Sequence, residues 1–246
     1  MTERRPGLTR RDFLRLGAVA GPVSLVAACG WDGGSGLQPK LVDFSRVNDW
    51  IGEKIFLSSN RLAKEYPASA RTPMENFPAY SISYNRTGSF PYPPDPRSWA
   101  LTVEGLVRKP LRLTLADLER LPSVTYTVKH HCVEGWTAIA TWTGVRVSTI
   151  MALAQPTDAA RYLRFDSFDD KYFNGWDLKS AAHPQTILAY GYNDRPLMMN
   201  HGAPLRLYSP IKLGYKLTKY LTAMTFTRER PGGYWEDQGY PWLGGI

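Results

Sequence analysis

The segment KHHCVEGW, Lys129 to Trp136, sets a thiol beside two imidazoles in a chain with only two cysteines and four histidines. Cys132 therefore carries whatever sulfur chemistry the folded body has, because Cys29 sits in an N-terminal segment of export-signal type. Four chemistries suit such a thiol. It can be a small buried hydrophobe, the commonplace fate of a lone cysteine. A zinc site would need His130, His131 and Cys132 to converge, yet neighbouring strand residues point to opposite faces. A nucleophile would draw on an imidazolium to lower the thiol pKa, but no orienting Asn or Asp pattern stands out. A thiolate ligand to a soft transition metal needs just one sulfur if an organic cofactor brings the others. His130 can donate a hydrogen bond to that thiolate or to a metal-bound oxygen, or be a satisfied core histidine. Trp136 and Trp142 read as core aromatics.

A second cluster could hold an anion. Arg206, Lys212, Lys216 and Lys219 lie within 14 residues, around the turn at Gly214. Arg offers forked donors and Lys a point charge, both suited to phosphate, and the plain alternative is a solvated basic edge.

These side chains need a scaffold, and the pattern predicts an α+β domain rich in strands and turns. Aromatics make up 13% of the chain and long amphipathic stretches are few, which favours β structure over a helical bundle. WALTVEGLV, KPLRLTL, VTYTVKHHCV and RYLRFDSFD read as strands. In the third, Val124, Tyr126, Val128, His130 and Cys132 share one face and His131 points the other way. TLADLERLP reads as a helix capped at Thr114 and stopped at Pro122. TGVRVSTIMALAQP reads as a turn and a short helix. LKSAAHPQTILAYGYNDRPL holds a helix start, an apolar run and a turn. APLRLYSPIKLGYKLTKYLTAMTFT reads as strand, loop and strand. Residues 71–99, rich in Pro and aromatics, read as an extended segment hugging the surface. The tail GGYWEDQGYPWLGGI carries five glycines and four aromatics, too dense for a dispensable end.

Residues 1–28 read as a twin-arginine signal peptide. Arg10-Arg11 precede Phe13-Leu14 and a short uncharged run, too short for a spanning helix of roughly 20 residues. The run ends in LVAAC, which resembles a lipobox with Cys29 as the lipidated residue. Residues 29–70 then form a tether and N-terminal segment, and 71–246 the folded domain. The signal holds five arginines against Glu3 and Asp12, so it supplies +3 of the formal charge of +8 and leaves about +5. That balance, with no basic block or zinc-finger spacing, points away from nucleic acid. Exporters of this kind carry folded proteins, often already loaded with a cofactor.

HHCVEGWTAIATWTGV resembles the cysteine motif of the sulfite oxidase-like molybdopterin-dependent oxidoreductases. GLVRKPLRLTLADLERLP before it extends the resemblance. RFDSFD, AAHPQTILAYGYNDRPL, HGAPLRLYSPIKLGYKLTKYL and GGYWEDQGY continue it in the family's order, over about residues 75–240. The resemblance implies the sulfite oxidase-type molybdopterin-binding catalytic domain, with mixed β-sheets and short helices. It implies a molybdenum–molybdopterin cofactor with Cys132 as the metal's thiolate ligand. It also implies cofactor contacts from Ser167, His201 and Arg206. Lys216, Leu217, Thr218 and Lys219 fall in a segment that binds through main chain and a lysine, and Ser83, Tyr84 and Asn85 lie near another contact.

The activity so implied is oxygen-atom transfer, in the direction of reducing an S- or N-oxide. The chain runs to Ile246 without the C-terminal β-sandwich of the sulfite oxidases, which matches the shorter, monomeric reductase-like members. Oxidation of sulfite is the alternative, with Lys171 and Arg195 as candidate anion contacts. A non-catalytic envelope lipoprotein and a thiol-based redox enzyme are readings of other classes. No C-x-x-C-H motif or iron–sulfur cysteine set is present, so electrons are expected from a separate haem or flavin partner. The expected place is the periplasm or the outer face of the cytoplasmic membrane, with a lipid tether at Cys29.

Overall fold

Alternating apolar and polar residues become ten strands in two sheets in the computed structural model, which describes residues 62–92 and 97–246. The signal peptide, Cys29 and most of the tether lie outside the described residues. One sheet runs β2-β1-β10-β5-β6, and the other β3-β4-β7-β8 with β9 also paired to β7. The strands of the first are Leu101–Gly105 (β1), Leu111–Leu113 (β2), Tyr162–Ser167 (β5), Phe173–Asp177 (β6) and Leu221–Thr227 (β10). Those of the second are Ser123–His131 (β3), Thr137–Arg146 (β4), Ile187–Tyr192 (β7), Arg195–Pro196 (β8) and Arg206–Tyr208 (β9). Only β1 and β10 run parallel; the other pairs are antiparallel.

The inward positions of both sheets meet in one core. Leu101, Val103, Leu163, Phe165 and Met224 come from the first sheet, and Val128, Ala140, Trp142, Val145 and Leu207 from the second; all are fully buried. Each Leu, Val, Phe or Met among them contributes roughly 1.5–3 kcal/mol on burial. Short helices close the edges. Helix Leu115–Glu119 starts at Thr114 with the expected cap: Thr114 Oγ accepts from Asp117 N–H, and the Asp117 carboxylate accepts from Thr114 N–H. Helix Val147–Ala154 buries Val147, Ile150 and Ala154. Asp177 caps Leu178–Ala181 through Ser180 N–H at 2.6 Å.

Three expectations are corrected. TGVR, read as a turn, is the end of β4, in register with β3 from Val145↔Ser123 down to Thr137↔His131. Gly144 is there because β7 passes so close that a Cβ would sit 2.0 Å from Leu188 O, so this glycine marks a close approach of strands, not a bend. Residues 71–92 are not simply extended. They contain a 3-10 turn at Met74–Asn76 and a helix at Ile82–Thr87. Its ends are marked in the sequence by Ser81, which accepts from Tyr84 N–H, and by left-handed Gly88. Cys132 lies just past the end of β3, in a tight turn where Gly135 N–H donates to Cys132 O.

The C-terminal tail is structural, as its density suggested. Tyr234 N–H donates to Phe173 O along the edge of β6, and Lys212 pairs with Gly245 in a β-bridge. A buried ion pair anchors the tail: Lys216, fully buried, bonds Glu236 Oε1 and Gly175 O. Breaking one side of such a pair leaves a stranded charge and costs about 3–5 kcal/mol. Lys216→Met is therefore expected to lower the urea-unfolding stability by about that much, and Lys216→Met with Glu236→Leu to recover a large share.

Candidate active site

The chain's folding gathers distant segments around one cavity of about 320 Å³, within the range of ligand and cofactor sites. The end of β3 and its turn bring His130, Cys132, Val133, Glu134 and Trp136. The 77–85 segment brings Phe77, Tyr80 and Asn85. The β9 region brings His201, Arg206, Leu217 and Lys219. His130 and Cys132 thus open on the same space, as the strand pattern predicted, and His131 does not line it.

His130 is wedged among rings. Its centroid lies 5.2 Å from Phe77 and 5.4 Å from Trp136. Gly214 has to be glycine on the other side, since a Cβ would stand 2.9 Å from His130 Nε2. Burial, and then the charge of Arg206, pull the His130 pKa down to about 3. His201, stacked on Tyr192 at 4.5 Å, is pulled down to about 3 by the same two causes. Both imidazoles are neutral at pH 7.

Arg206 is 3% exposed. Its guanidinium donates to His201 O at 2.8 Å and Leu217 O at 3.4 Å, and lies 4.8 Å from the Trp142 ring. Lys219 Nζ donates to the carbonyls of Tyr80 and Asn200. Desolvation lowers the Arg206 pKa to about 10 and holds Lys219 well below the ordinary lysine range, with Arg206 adding repulsion. Neither cation has a carboxylate ion-pair partner among the described residues. Arg206 is buried and Lys219 half-buried, and unpaired cations so withdrawn from water are costly unless an anion joins them.

The thiol is not set up as a nucleophile. Burial raises the Cys132 pKa, and the Glu134 charge opposes its ionisation. Glu134 Oε2 accepts from Trp136 Nε1 at 2.9 Å and lies 3.7 Å from Cys132 Sγ. Among the described residues no three His, Cys, Asp or Glu side chains converge to hold a bare ion. A metal at Cys132 would take its other ligands from an organic group. The cavity fits such a group when it is anionic. Besides the two cations, Arg206 Nε, His130 Nδ1 and His201 Nε2 are buried without hydrogen-bond partners, and these atoms offer bonds to a ligand.

Other expected contacts are placed elsewhere. Lys216 is turned away from the cavity into the tail anchor described above. Thr218 is buried beside Asn174, whose Nδ2 lies 3.4 Å from its Oγ1. Ser167 Oγ accepts from Asp169 N–H at 2.9 Å, capping its own loop. Ser83 faces that loop as well, its N–H donating to Asp169 Oδ1. Tyr84 is exposed and stacked on Phe90 at 4.4 Å. None of these five lines the cavity, nor do Lys171 and Arg195. Trp142 is core, as expected, whereas Trp136 is a wall of the cavity. Sequence reasoning missed Phe77, Asp169, Tyr172, Tyr215, Trp235 and Tyr240 as lining residues. Aromatic density in the tail was the one visible signal for the last two.

Comparison with known proteins places this geometry. The oxidoreductase molybdopterin binding domain matches residues 88–235. A putative protein-methionine-sulfoxide reductase subunit of Azospira oryzae is 39% identical over 96% of this chain and 87% of its own. The protein-methionine-sulfoxide reductase catalytic subunit of Campylobacter jejuni is 29% identical, covering 93% of this chain and 76% of its own. An uncharacterized oxidoreductase of Bacillus subtilis is 32% identical over 71% of this chain and 90% of its own. The crystal structure of the sulfane dehydrogenase of Paracoccus pantotrophus superposes with a TM-score of 0.53 and 22% identity, over 56% of this chain and 40% of that one. The fold is thus the expected sulfite oxidase-type α+β domain.

The neutral histidines make stability pH-dependent. Their folded pKa values lie below the unfolded value of about 6.5, so unfolding takes up protons as pH falls from about 6.5 toward 3. The cofactor-free chain should lose about 1.4 kcal/mol per pH unit for each histidine well inside that window. Urea unfolding at stepped pH checks this, with His201→Gln expected to show the shallower slope.

Proposed function

The chain belongs to the oxidoreductase molybdopterin-binding domain family, and from that premise we propose that it is an exported oxotransferase that reduces an S-oxide. A thioether S-oxide is the substrate class favoured over an N-oxide, because the similar chains from Azospira oryzae and Campylobacter jejuni are named as methionine-sulfoxide reductase subunits. When bound, the molybdenum–molybdopterin group would supply two-electron oxygen-atom transfer. Cys132 would be the metal's protein ligand. Arg206 and Lys219 would meet the anionic groups of the cofactor, with His201, Leu217 and Asn85 also lining the cavity. His130, neutral and with Nδ1 unpartnered, is available to hydrogen-bond at the metal side of the cavity.

The observation that carries the direction is the charge beside the thiol. The Glu134 carboxylate lies 3.7 Å from Cys132 Sγ. A sulfite anion arriving there would meet like charge, and a neutral S-oxide would not. Conversion of the oxide to thioether and water consumes two electrons and two protons. With two cysteines in the whole chain, a separate haem or flavin protein is the source of those electrons. Arg10-Arg11 and Cys29 support export by the twin-arginine route and a lipid anchor facing the periplasm, which would raise the effective concentration of a membrane partner.

Protein made in a host that synthesises molybdopterin is expected to hold about one molybdenum per chain. It is expected to oxidise reduced dye with a sulfoxide, and Cys132→Ser to abolish that turnover. Turnover of sulfite alone with an acceptor would reverse the direction. Full turnover in Cys132→Ser would remove the thiol from the metal.

A further inference from the structure

The ion pair between Lys216 and Glu236 fixes a turn that carries two aromatic side chains to the cavity. Residues 232–240 fold back on themselves: Asp237 N–H donates to Gly233 O at 2.9 Å and Tyr240 N–H to Trp235 O at 3.1 Å. The Glu236 carboxylate lies so close to Gly233 that a Cβ there would stand 2.1 Å from Glu236 Oε2. The result is an aromatic pair. Trp235 and Tyr240 have ring centroids 5.3 Å apart and both line the cavity. Tyr215 packs on Tyr240 at 5.2 Å and follows Gly214, which abuts His130. The aromatic wall therefore continues to the His130 side of the cavity, from which Cys132 also opens. Neither ring bears a charge, so the pair adds nothing to the cationic pole of Arg206 and Lys219. Trp235 Nε1–H and Tyr240 O–H have no hydrogen-bond partner among the described residues.

We propose that Trp235 and Tyr240 form the subsite for the alkyl groups of a thioether S-oxide and set which oxides the site accepts. The inference rests on the reductive reading above and names the part of the site that reads the substrate. Faces of large aromatic rings attract sulfur and the methyl and methylene groups beside it. The two unused donors suit an S–O oxygen or a carbonyl next to it. An apolar wall with donors at its edge matches a small molecule that is alkyl on two sides and a strong acceptor on the third. The Lys216–Glu236 pair is the positioning device, since it ties the residue next to Trp235 to the base of the sheet.

The test uses the full, molybdenum-loaded enzyme with N-acetylmethionine sulfoxide as substrate. Trp235→Ala and Tyr240→Ala are each expected to raise KM roughly tenfold, with kcat within about twofold and molybdenum content unchanged. Trp235→Phe is expected to restore most of the loss. N-acetylmethionine sulfone, which resembles the substrate without being reducible by one oxygen transfer to the same product, gives a second readout by calorimetry. Its affinity should fall in parallel with the rise in KM. If Trp235→Ala lost molybdenum, Trp235→Leu would replace it, keeping apolar bulk without the ring face, with the same split expected. Unchanged KM and unchanged sulfone affinity in both single variants would overturn the subsite. Sulfone binding that depends on Trp235 in an enzyme that turns over no sulfoxide would keep the subsite and overturn the reaction.

Discussion

A guanidinium buried beside aromatic rings, with no carboxylate partner among the described residues, governs the architecture of this site. Arg206 is held by two backbone carbonyls and the faces of Trp142 and Tyr208. Its charge reaches several titratable neighbours. It helps keep His130 and His201 neutral and helps hold Lys219 below its ordinary range. Such a charge is tolerated when the surrounding backbone is rigid and an anion can join it. Strand β9, paired with β7 at Ala189↔Arg206, supplies that rigidity. The cavity beside it supplies room for the anion.

The same fourteen residues serve the structure in the opposite sense. Arg206 and Lys219 face the cavity, while Lys212 and Lys216 face the protein interior. Lys212 Nζ bonds Leu243 O at 2.7 Å, and Lys216 bonds Gly175 O and Glu236. One basic loop thereby builds an anion-binding wall on one side and fastens the C-terminal tail on the other. That fastening carries Trp235 and Tyr240 to the cavity, so a structural ion pair shapes the surface a substrate would meet.

Much of this was legible beforehand. Alternation in VTYTVKHHCV placed His130 and Cys132 on one face, and that relation survives even though the strand ends at His131. The cap at Thr114 and the turn at Asn193-Asp194 follow from local backbone chemistry, which depends on residues three or four apart. Gly144 misled because a glycine at a close strand approach and a glycine in a turn look alike in one dimension. Ser167 and Thr218 do not line the cavity, and the reason is local. A hydroxyl bonds whatever polar group the fold sets nearest, and here that is Asp169 N–H for one and the Asn174 side chain for the other.

By itself the sequence determined the α+β character, the single body thiol next to His130, the concentration of cations after Arg206 and the family motifs in order. Each of these is a matter of residue type and short spacing. Tertiary structure alone decided which cations face the cavity, that Glu134 stands beside the thiol, and that the tail's aromatics join the site. The glutamate's place depends on the turn after β3, two residues from the thiol, while the other two outcomes rest on contacts between distant segments: Lys219 with Tyr80 across 139 residues, and Lys216 with Gly175 across 41. Burial and charge at such a meeting point depend on every segment that arrives there, and no local pattern encodes that sum.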